Sequence, residues 1–354
     1  MGYNLDYTST PVLLAAYELK KKPTRFLQTR YFPRGVNFGT DEVLVEYKKG
    51  ARKMAPFVTP EVGGKFMARN GYRAEAYKPA FIAPKRALSI DTLKKKGFGE
   101  AYYRQLSPAE RAMAITANDL QEMDDAIVLR EEWMCAQLLK NNSIIMKHYN
   151  DDNVLVKTKK IEFFEGGSNT AIYTPTVSWD KDNADILGDG NAMVKMLTDE
   201  GLPAVDMIVG SKAKKAIYNN EKILKLLDNR RVELGFIDPT AEFEDATLVA
   251  QLDFEGHKLN IIEYTGTYED ETTGNNVPYI APEAVIVTAP DCGVTNYGAI
   301  TQIDYGQADF TTYSGPRVPL YKVNDQVREV ALRSAPLVQP KNQNPYIYCK
   351  AIFS

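Results

Sequence analysis

Histidine is nearly missing from this sequence: His148 and His257 are the two in 354 residues. Serine and cysteine nucleophiles need a positioned base, most often histidine, so little is present from which to build a transfer or hydrolytic triad. One histidine lies beside a polar loop and the other in a hairpin strand, and each is expected to be a surface or satisfied residue. Cysteine is also scarce. Cys135, Cys292 and Cys349 are odd in number and far apart, with no C-x-x-C pair. That pattern excludes a disulfide framework and a zinc site and predicts buried free thiols in a reducing compartment. No apolar run reaches the roughly 18 residues of a membrane span. Residues 12–17 form a short apolar stretch with no basic segment before it, so no secretory signal is expected. Charge of one sign is lacking as well, with 43 basic residues against 46 acidic and a net charge of -3. A reader of nucleic-acid sequence normally carries a basic stripe. Only weak, non-specific contact with a nucleic acid is left open. No internal repeat of 20–50 residues argues for a solenoid or propeller.

What is present is an ordinary globular composition, 44% hydrophobic and 25% charged, long enough for about two domains. Thr10-Pro11 opens a short helix with Leu13, Leu14 and Tyr17 on its apolar side, and Pro23 stops it. Phe26-Leu27 and Tyr31-Phe32-Pro33 follow, sticky residues too few to fold alone. From Val43 the chain alternates as a strand, becomes rich in glycine, proline and bases over residues 49–71, and returns extended through Tyr72, Tyr77 and Phe81. This reads as a two-stranded arm. Such a hairpin is marginal in water alone, so Phe57, Val58 and Phe66 are expected to be covered by another subunit.

Ser107-Pro108-Ala109-Glu110 is a capping box, and no proline or glycine appears again before Asn141. Ala112, Ile115, Leu120, Met123, Ile127, Met134 and Leu138 share one stripe, with Glu122, Asp125 and Glu132 expected opposite. A helix over residues 108–140 would span about 50 Å and serve as a spine. Residues 154–156 and 161–164 read as a strand pair separated by Lys157 to Lys160. Residues 180–200 read as a helix, 205–210 as a buried strand leading into a second helical run, and 248–254 with 258–264 as a hairpin. Residues 284–287 read as a further buried strand. After residue 300 the chain reads as loop-rich until strands at 327–333 and 346–353.

Phosphate-site candidates are weak. Gly63-Gly64-Lys65 lacks the remainder of a P-loop. Val209-Gly210-Ser211-Lys212 lies between a strand and a helix, a geometry that can hold an anion, yet reads better as an ordinary turn. The acidic clusters Asp151-Asp152-Asn153 and Glu269-Asp270-Glu271 lack EF-hand spacing and read as solvated loops. No catalytic, cofactor or metal residue is singled out.

Ordered segments from end to end carry a resemblance. They are Leu13-Leu14-Ala15-Ala16, Phe26-Leu27, Tyr31-Phe32, Ala55-Pro56-Phe57-Val58-Thr59-Pro60 with Gly63-Gly64, and residues 78–85. Farther on come Leu226-Leu227-Asp228-Asn229-Arg230-Arg231, Thr295-Asn296-Tyr297-Gly298-Ala299-Ile300 and Ser334-Ala335-Pro336-Leu337. The chain resembles the lambda-like major capsid family, phage major capsid protein E. The spine segment Trp133 to Leu138 matches that family only loosely.

The resemblance implies an α+β, Hong Kong 97-type capsid fold. It implies an N-terminal arm (1–35), an extended β-hairpin loop (36–88), a peripheral domain (89–175) with the spine helix, an axial α/β domain (176–295) and return strands (296–354). It further implies a non-enzymatic subunit of a tailed double-stranded DNA phage, assembled in the host bacterial cytoplasm into hexamers and pentamers of an icosahedral virion shell. Implied partners are other copies of the chain, a scaffolding protein, the portal, a decoration protein in many relatives, and packaged DNA through non-specific contact. No membrane and no cofactor are implied. Candidate intersubunit contacts are Leu13, Leu14, Tyr31, Phe32, Phe57, Val58, Lys65, Phe66 and Arg69. Lys65 lies in the arm that cross-links in some relatives of the fold, but no matching acid–lysine–asparagine set accompanies it. The competing expectation is a soluble α/β enzyme or ligand-binding protein, motivated by residues 205–212.

Overall fold

A 34-residue helix, Pro108–Asn141, is the longest element of the computed structural model. The structure describes residues 25–40, 42–48, 72–89, 108–150, 154–164, 167–227, 235–236, 240–243, 245–254, 256–324 and 327–353. The helix persists because no glycine or proline interrupts it after Pro108. It stops at Asn142, whose φ of 50° lies in the left-handed region that asparagine tolerates. The Asn142 amide N–H still bonds back to Leu138, and its side chain accepts a 2.6 Å hydrogen bond from Tyr346 Oη.

An eight-stranded sheet forms the second mass of the molecule. Its spatial order is Thr240–Phe243, Ala246–Phe254, His257–Tyr264, Asp206–Val209, Ala284–Thr288, Ile347–Lys350 and Ile172–Tyr173, with Gly235–Phe236 pairing beside Ala246–Phe254. Asp206–Val209 runs parallel to His257–Tyr264 and antiparallel to Ala284–Thr288. These central strands are buried on both faces, which is why Met207 to Val209 and Ala284 to Val287 read as apolar runs, with Asp206 and Thr288 at their ends. Alternate residues serve two cores. Met207, Val209, Val285 and Val287 face the helices Ile186–Asp199 and Ser211–Asn219. Ile208, Ile262, Tyr264 and Ile286 face a cluster shared with Met134, Leu138, Phe26 and Leu27. The sheet is completed by Ile347–Lys350 and Ile172–Tyr173, strands from outside residues 176–295.

Around the other part of the spine, Val318–Asn324, Val327–Arg333 and Lys85–Ser89 form a three-stranded sheet. Its Tyr321, Val330 and Leu332 cover Leu120, Met123 and Ile127. Arg34–Asn37, Gly293–Tyr297 and Pro336–Pro340 make another three-stranded sheet. Val43–Lys48 pairs antiparallel with Tyr72–Tyr77.

Two expectations change here. Lys157 to Lys160 do not separate two strands. They lie inside one strand, Leu155–Glu162, whose partner is Ser143–Tyr149, directly after the spine. Residues Leu155 to Lys160 of that strand are exposed or half-buried, with Ile161 covered, so it accommodates lysines at neighbouring positions. The segment after residue 300 is also not loop-rich: Ile300–Ile303 pairs with Phe310–Tyr313. Its Thr, Gln, Asp and Gly content is that of an exposed ribbon.

Candidate assembly surfaces and the charged clamp beneath them

The helix Phe26–Tyr31 lies against the spine and is tied to it by charge. Glu132 accepts hydrogen bonds from the amides of Leu27 (2.8 Å) and Gln28 (3.0 Å) and from Tyr264 Oη (2.8 Å). It is therefore buried rather than on a solvent-facing side, a correction to the helical reading. Three donors compensate the carboxylate that the reading put opposite the apolar stripe. Glu131 meets Arg25 Nη1 at 2.5 Å and Arg317 at 2.7 and 3.1 Å, while Arg317 Nε meets Asp124 at 2.7 Å. Burial pushes Glu131 up, but the Arg317 and Arg25 guanidiniums outweigh it and hold the carboxyl below its usual value. At Glu132 burial prevails over the donated hydrogen bonds, and the carboxyl is raised.

A second tie joins the same helix to the large sheet. Asp206, fully buried, accepts from Arg30 Nε (2.7 Å) and Nη2 (3.1 Å), Tyr31 Oη (3.0 Å) and Asn260 Nδ2 (3.0 Å). Tyr31 and Phe32 are both wholly covered by this chain. A Cβ built on Gly293 would lie 2.2 Å from the Phe32 ring, so glycine leaves the space that the ring fills. These two residues leave the set of intersubunit candidates, and residues 26–32 leave the N-terminal arm. Their cover comes from residues far away in the chain, which no local pattern displays. Leu13, Leu14, Phe57, Val58, Lys65, Phe66 and Arg69 lie outside the described residues.

None of Arg25, Asp124, Glu131, Asp206 and Arg317 was singled out in the sequence. One signal was present. Glu131 falls on the apolar stripe itself, four after Ile127 and three before Met134, and a carboxylate there requires a buried base.

The anion reading of residues 209–212 meets a direct obstacle. The amides of Lys212 and Ala213 at the helix start both donate to the Pro282 carbonyl, at 2.9 and 3.1 Å. Among the described residues no group of three or more His, Cys, Asp or Glu is placed to hold a metal ion. No helix among them is long and apolar enough to cross a membrane. His148 is half-buried and His257 exposed.

The surface carries apolar side chains this chain leaves uncovered: Val154, Leu155 and Val156 on one ribbon, Ile303, Tyr305 and Phe310 on another. A long spine beside a two-faced sheet, with apolar side chains exposed on surface ribbons, is the layout of a structural subunit rather than of a protein built around a catalytic pocket. The comparisons agree with that class. The family profile of phage major capsid protein E matches residues 9–351, and the chain belongs to that family. It is 25% identical over 339 residues to the major capsid protein of Enterobacteria phage P21, covering 93% of this chain and 95% of that one. It is 23% identical over 336 residues to the major capsid protein of Escherichia phage lambda, at 93% and 95% coverage. Among solved structures, a prophage protein of Escherichia coli CFT073, described in its name as a candidate capsid protein, superposes with a TM-score of 0.66 at 17% identity. The match covers 97% of this chain and 99% of that one. A phage-related protein of Bordetella bronchiseptica RB50 gives a TM-score of 0.50 at 11% identity, covering 96% of each chain. The fold is the α+β, Hong Kong 97-type capsid fold, and the role is that of a structural capsid subunit.

Proposed function

We propose that copies of this chain assemble into hexamers and pentamers and close an icosahedral head around the double-stranded DNA of a tailed phage. The family match over residues 9–351 is the observation that carries this reading. The physics supports it, because exposed apolar ribbons cost little in a lattice where many modest contacts act together. Residues 176–295, with the strands that complete their sheet, would be the axial domain around capsomer axes. The spine and the sheets beside it would be the peripheral domain. Residues 1–24 and the arm through residues 49–71 would reach neighbouring copies, with Leu13, Leu14, Phe57, Val58, Lys65, Phe66 and Arg69 as contacts. A scaffolding protein, the portal and a decoration protein complete the partner set, DNA contact is non-specific, and assembly takes place in the host cytoplasm.

The test is electron microscopy of the expressed protein, with its scaffold if required. Shells, rings or tubes are expected, and a strictly monomeric protein under all assembly conditions overturns the reading. Phe57→Asp or Phe66→Asp should leave the subunit folded while abolishing particles. Unfolded subunits would instead place the arm in a private core.

A further inference from the structure

Two ribbons remain open on this subunit. Among the described residues, Leu155–Glu162 pairs only with Ser143–Tyr149 and Phe310–Tyr313 only with Ile300–Ile303, so each ribbon keeps edges that no described strand pairs with. Both carry apolar residues where water reaches them. Val156 is 68% exposed beside Val154 and Leu155, and Phe310 is 76% exposed opposite its exposed cross-strand partner Ile303. Open apolar edges are surfaces that proteins normally hide.

Their charges are opposite. The first ribbon carries Lys147, Lys157, Lys159 and Lys160 against Glu162 in its strands, with Asp151 and Asp152 between the strands in sequence, so four bases meet three acids and the lysines cluster on Leu155–Glu162. Lysines here crowd one another: burial and the neighbouring Lys157 and Lys78 charges lower the Lys159 ammonium below its usual value. The second ribbon has no charged residue in either strand, and its connecting loop carries Asp304 and Asp309 with no base. Asp304 accepts hydrogen bonds from Gln302 and Tyr313, while Asp309 is exposed.

The ribbons hang from different supports. The basic one is tied to the Tyr72–Tyr77 side of the molecule, through Tyr77 Oη to the Glu162 carbonyl and Lys159 Nζ to the Lys78 carbonyl. The acidic one is tied to Val318–Asn324, through Gln302 Nε2 to the Pro319 carbonyl and an edge-on contact of Tyr305 with Tyr321. Each is covered on one side only: Ile144, Met146 and Ile161 of the first and Ile300 of the second are buried, while Val156, Ile303 and Phe310 stay exposed.

We propose that the basic ribbon of one copy docks on the acidic ribbon, residues 300–313, of a second copy, with Val156 against the Ile303–Phe310 pair and Lys157 near Asp309. This deepens the shell reading and rests on it. Two different surfaces of one chain make a head-to-tail contact, the kind that closes into rings or propagates. A nucleic acid would engage the lysines but leave Val154, Leu155 and Val156 wet, which is why a second copy is favoured.

The test uses full-length protein under conditions in which the unaltered chain forms particles. Lys157→Glu and Asp309→Lys should each lower the assembled fraction by about tenfold or more, because lattice contacts multiply. Circular dichroism and melting of the free subunits should be unchanged. Combining the two changes should restore assembly to within about threefold, as expected for an exposed charge pair. Singles that assemble normally, or a double variant no better than the singles, overturn the proposal. A Val156→Cys, Phe310→Cys variant treated with a short bismaleimide should give a ladder of linked chains in particles and none in free subunits. Particles without a ladder overturn this contact and leave the shell reading standing, whereas failure of the unaltered chain to form particles overturns the shell reading. Lys157→Glu particles that form normally but retain less DNA would assign the lysines to nucleic acid and end the proposal.

Discussion

Arg317 and Glu131 meet through a two-pronged contact, Nη1 to Oε1 at 2.7 Å and Nη2 to Oε2 at 3.1 Å, with both side chains out of water. They are 186 positions apart in the chain. Glu131 also takes Arg25, so one carboxylate holds the start of the helix Phe26–Tyr31, the spine and the segment entering the strand Val318–Asn324. Such a group gives no large net stability against an apolar replacement, but it is costly to leave half-made.

Arg317→Met tests that asymmetry. It strands Asp124, one of whose oxygens already lacks a hydrogen-bond partner, and leaves Glu131 with Arg25 and a long hydrogen bond from Gln28 Nε2. Urea unfolding of the free subunit should show a loss of about 3–5 kcal/mol. Arg317→Lys keeps the charge but not the fork geometry and should fall between the two. A loss under about 1 kcal/mol would mean that the clamp is hydrated in solution.

The two neighbouring glutamates should respond to pH in opposite directions. The folded-state pKa of Glu131 lies below its unfolded value of about 4.3. Its contribution is therefore present above that value and fades as pH falls through the lower folded one. The pKa of Glu132 is raised by burial, so its contribution is greatest at acid pH and is lost as pH rises through the folded value. Unfolding measured from acid to neutral pH should show the advantage of the unaltered chain over Glu131→Gln growing with pH. Its advantage over Glu132→Gln should shrink. Parallel curves would contradict both assignments.

Much of this layout was legible in the sequence, for physical reasons that also mark where the reading stopped. The spine announced itself because Pro108 and the unbroken run to Asn141 are local signals, and Asp206–Val209 and Ala284–Thr288 because a strand covered on both faces is apolar along its middle, as over Met207 to Val209 and Ala284 to Val287. The clamp was not legible. Arg25 and Arg317 carry no local mark of burial, and their partners are supplied by the fold. Tyr31 and Phe32 were taken for arm residues because their cover, from Asp206 to Gly293, lies far along the chain.

Gly210 should not tolerate a side chain. A Cβ there would lie 2.2 Å from the Ala281 carbonyl oxygen and 2.6 Å from that of Pro282, both backbone atoms that cannot swing away. The same Pro282 oxygen takes the first helical amides, so pushing it away also unpairs Lys212 and Ala213. Gly210→Ala should cost about 1–3 kcal/mol in thermal or urea unfolding. Full stability would show that the strand-to-helix turn yields without strain.

Thiol reactivity offers a view of the helix Phe26–Tyr31 from beneath. All three cysteines are buried, and burial pushes Cys292 and Cys349 up to about 12 and Cys135 well above its usual value. Thiolate, the reactive form, is then negligible at neutral pH. Native subunits should not react with an aromatic disulfide reagent, whereas chains unfolded in guanidinium should titrate three thiols. Cys292 donates to the Tyr31 carbonyl at 3.7 Å, so it lies directly under the segment that Asp206 holds. Asp206→Asn weakens the charge-assisted bonds from Arg30, worth about 2 kcal/mol, and should loosen that helix first. In this variant Cys292 should become reactive while Cys349, in the far core, stays silent. Peptide mapping of the labelled thiol distinguishes the two, and equal labelling of both would mean that the variant unfolds globally rather than releasing the helix Phe26–Tyr31.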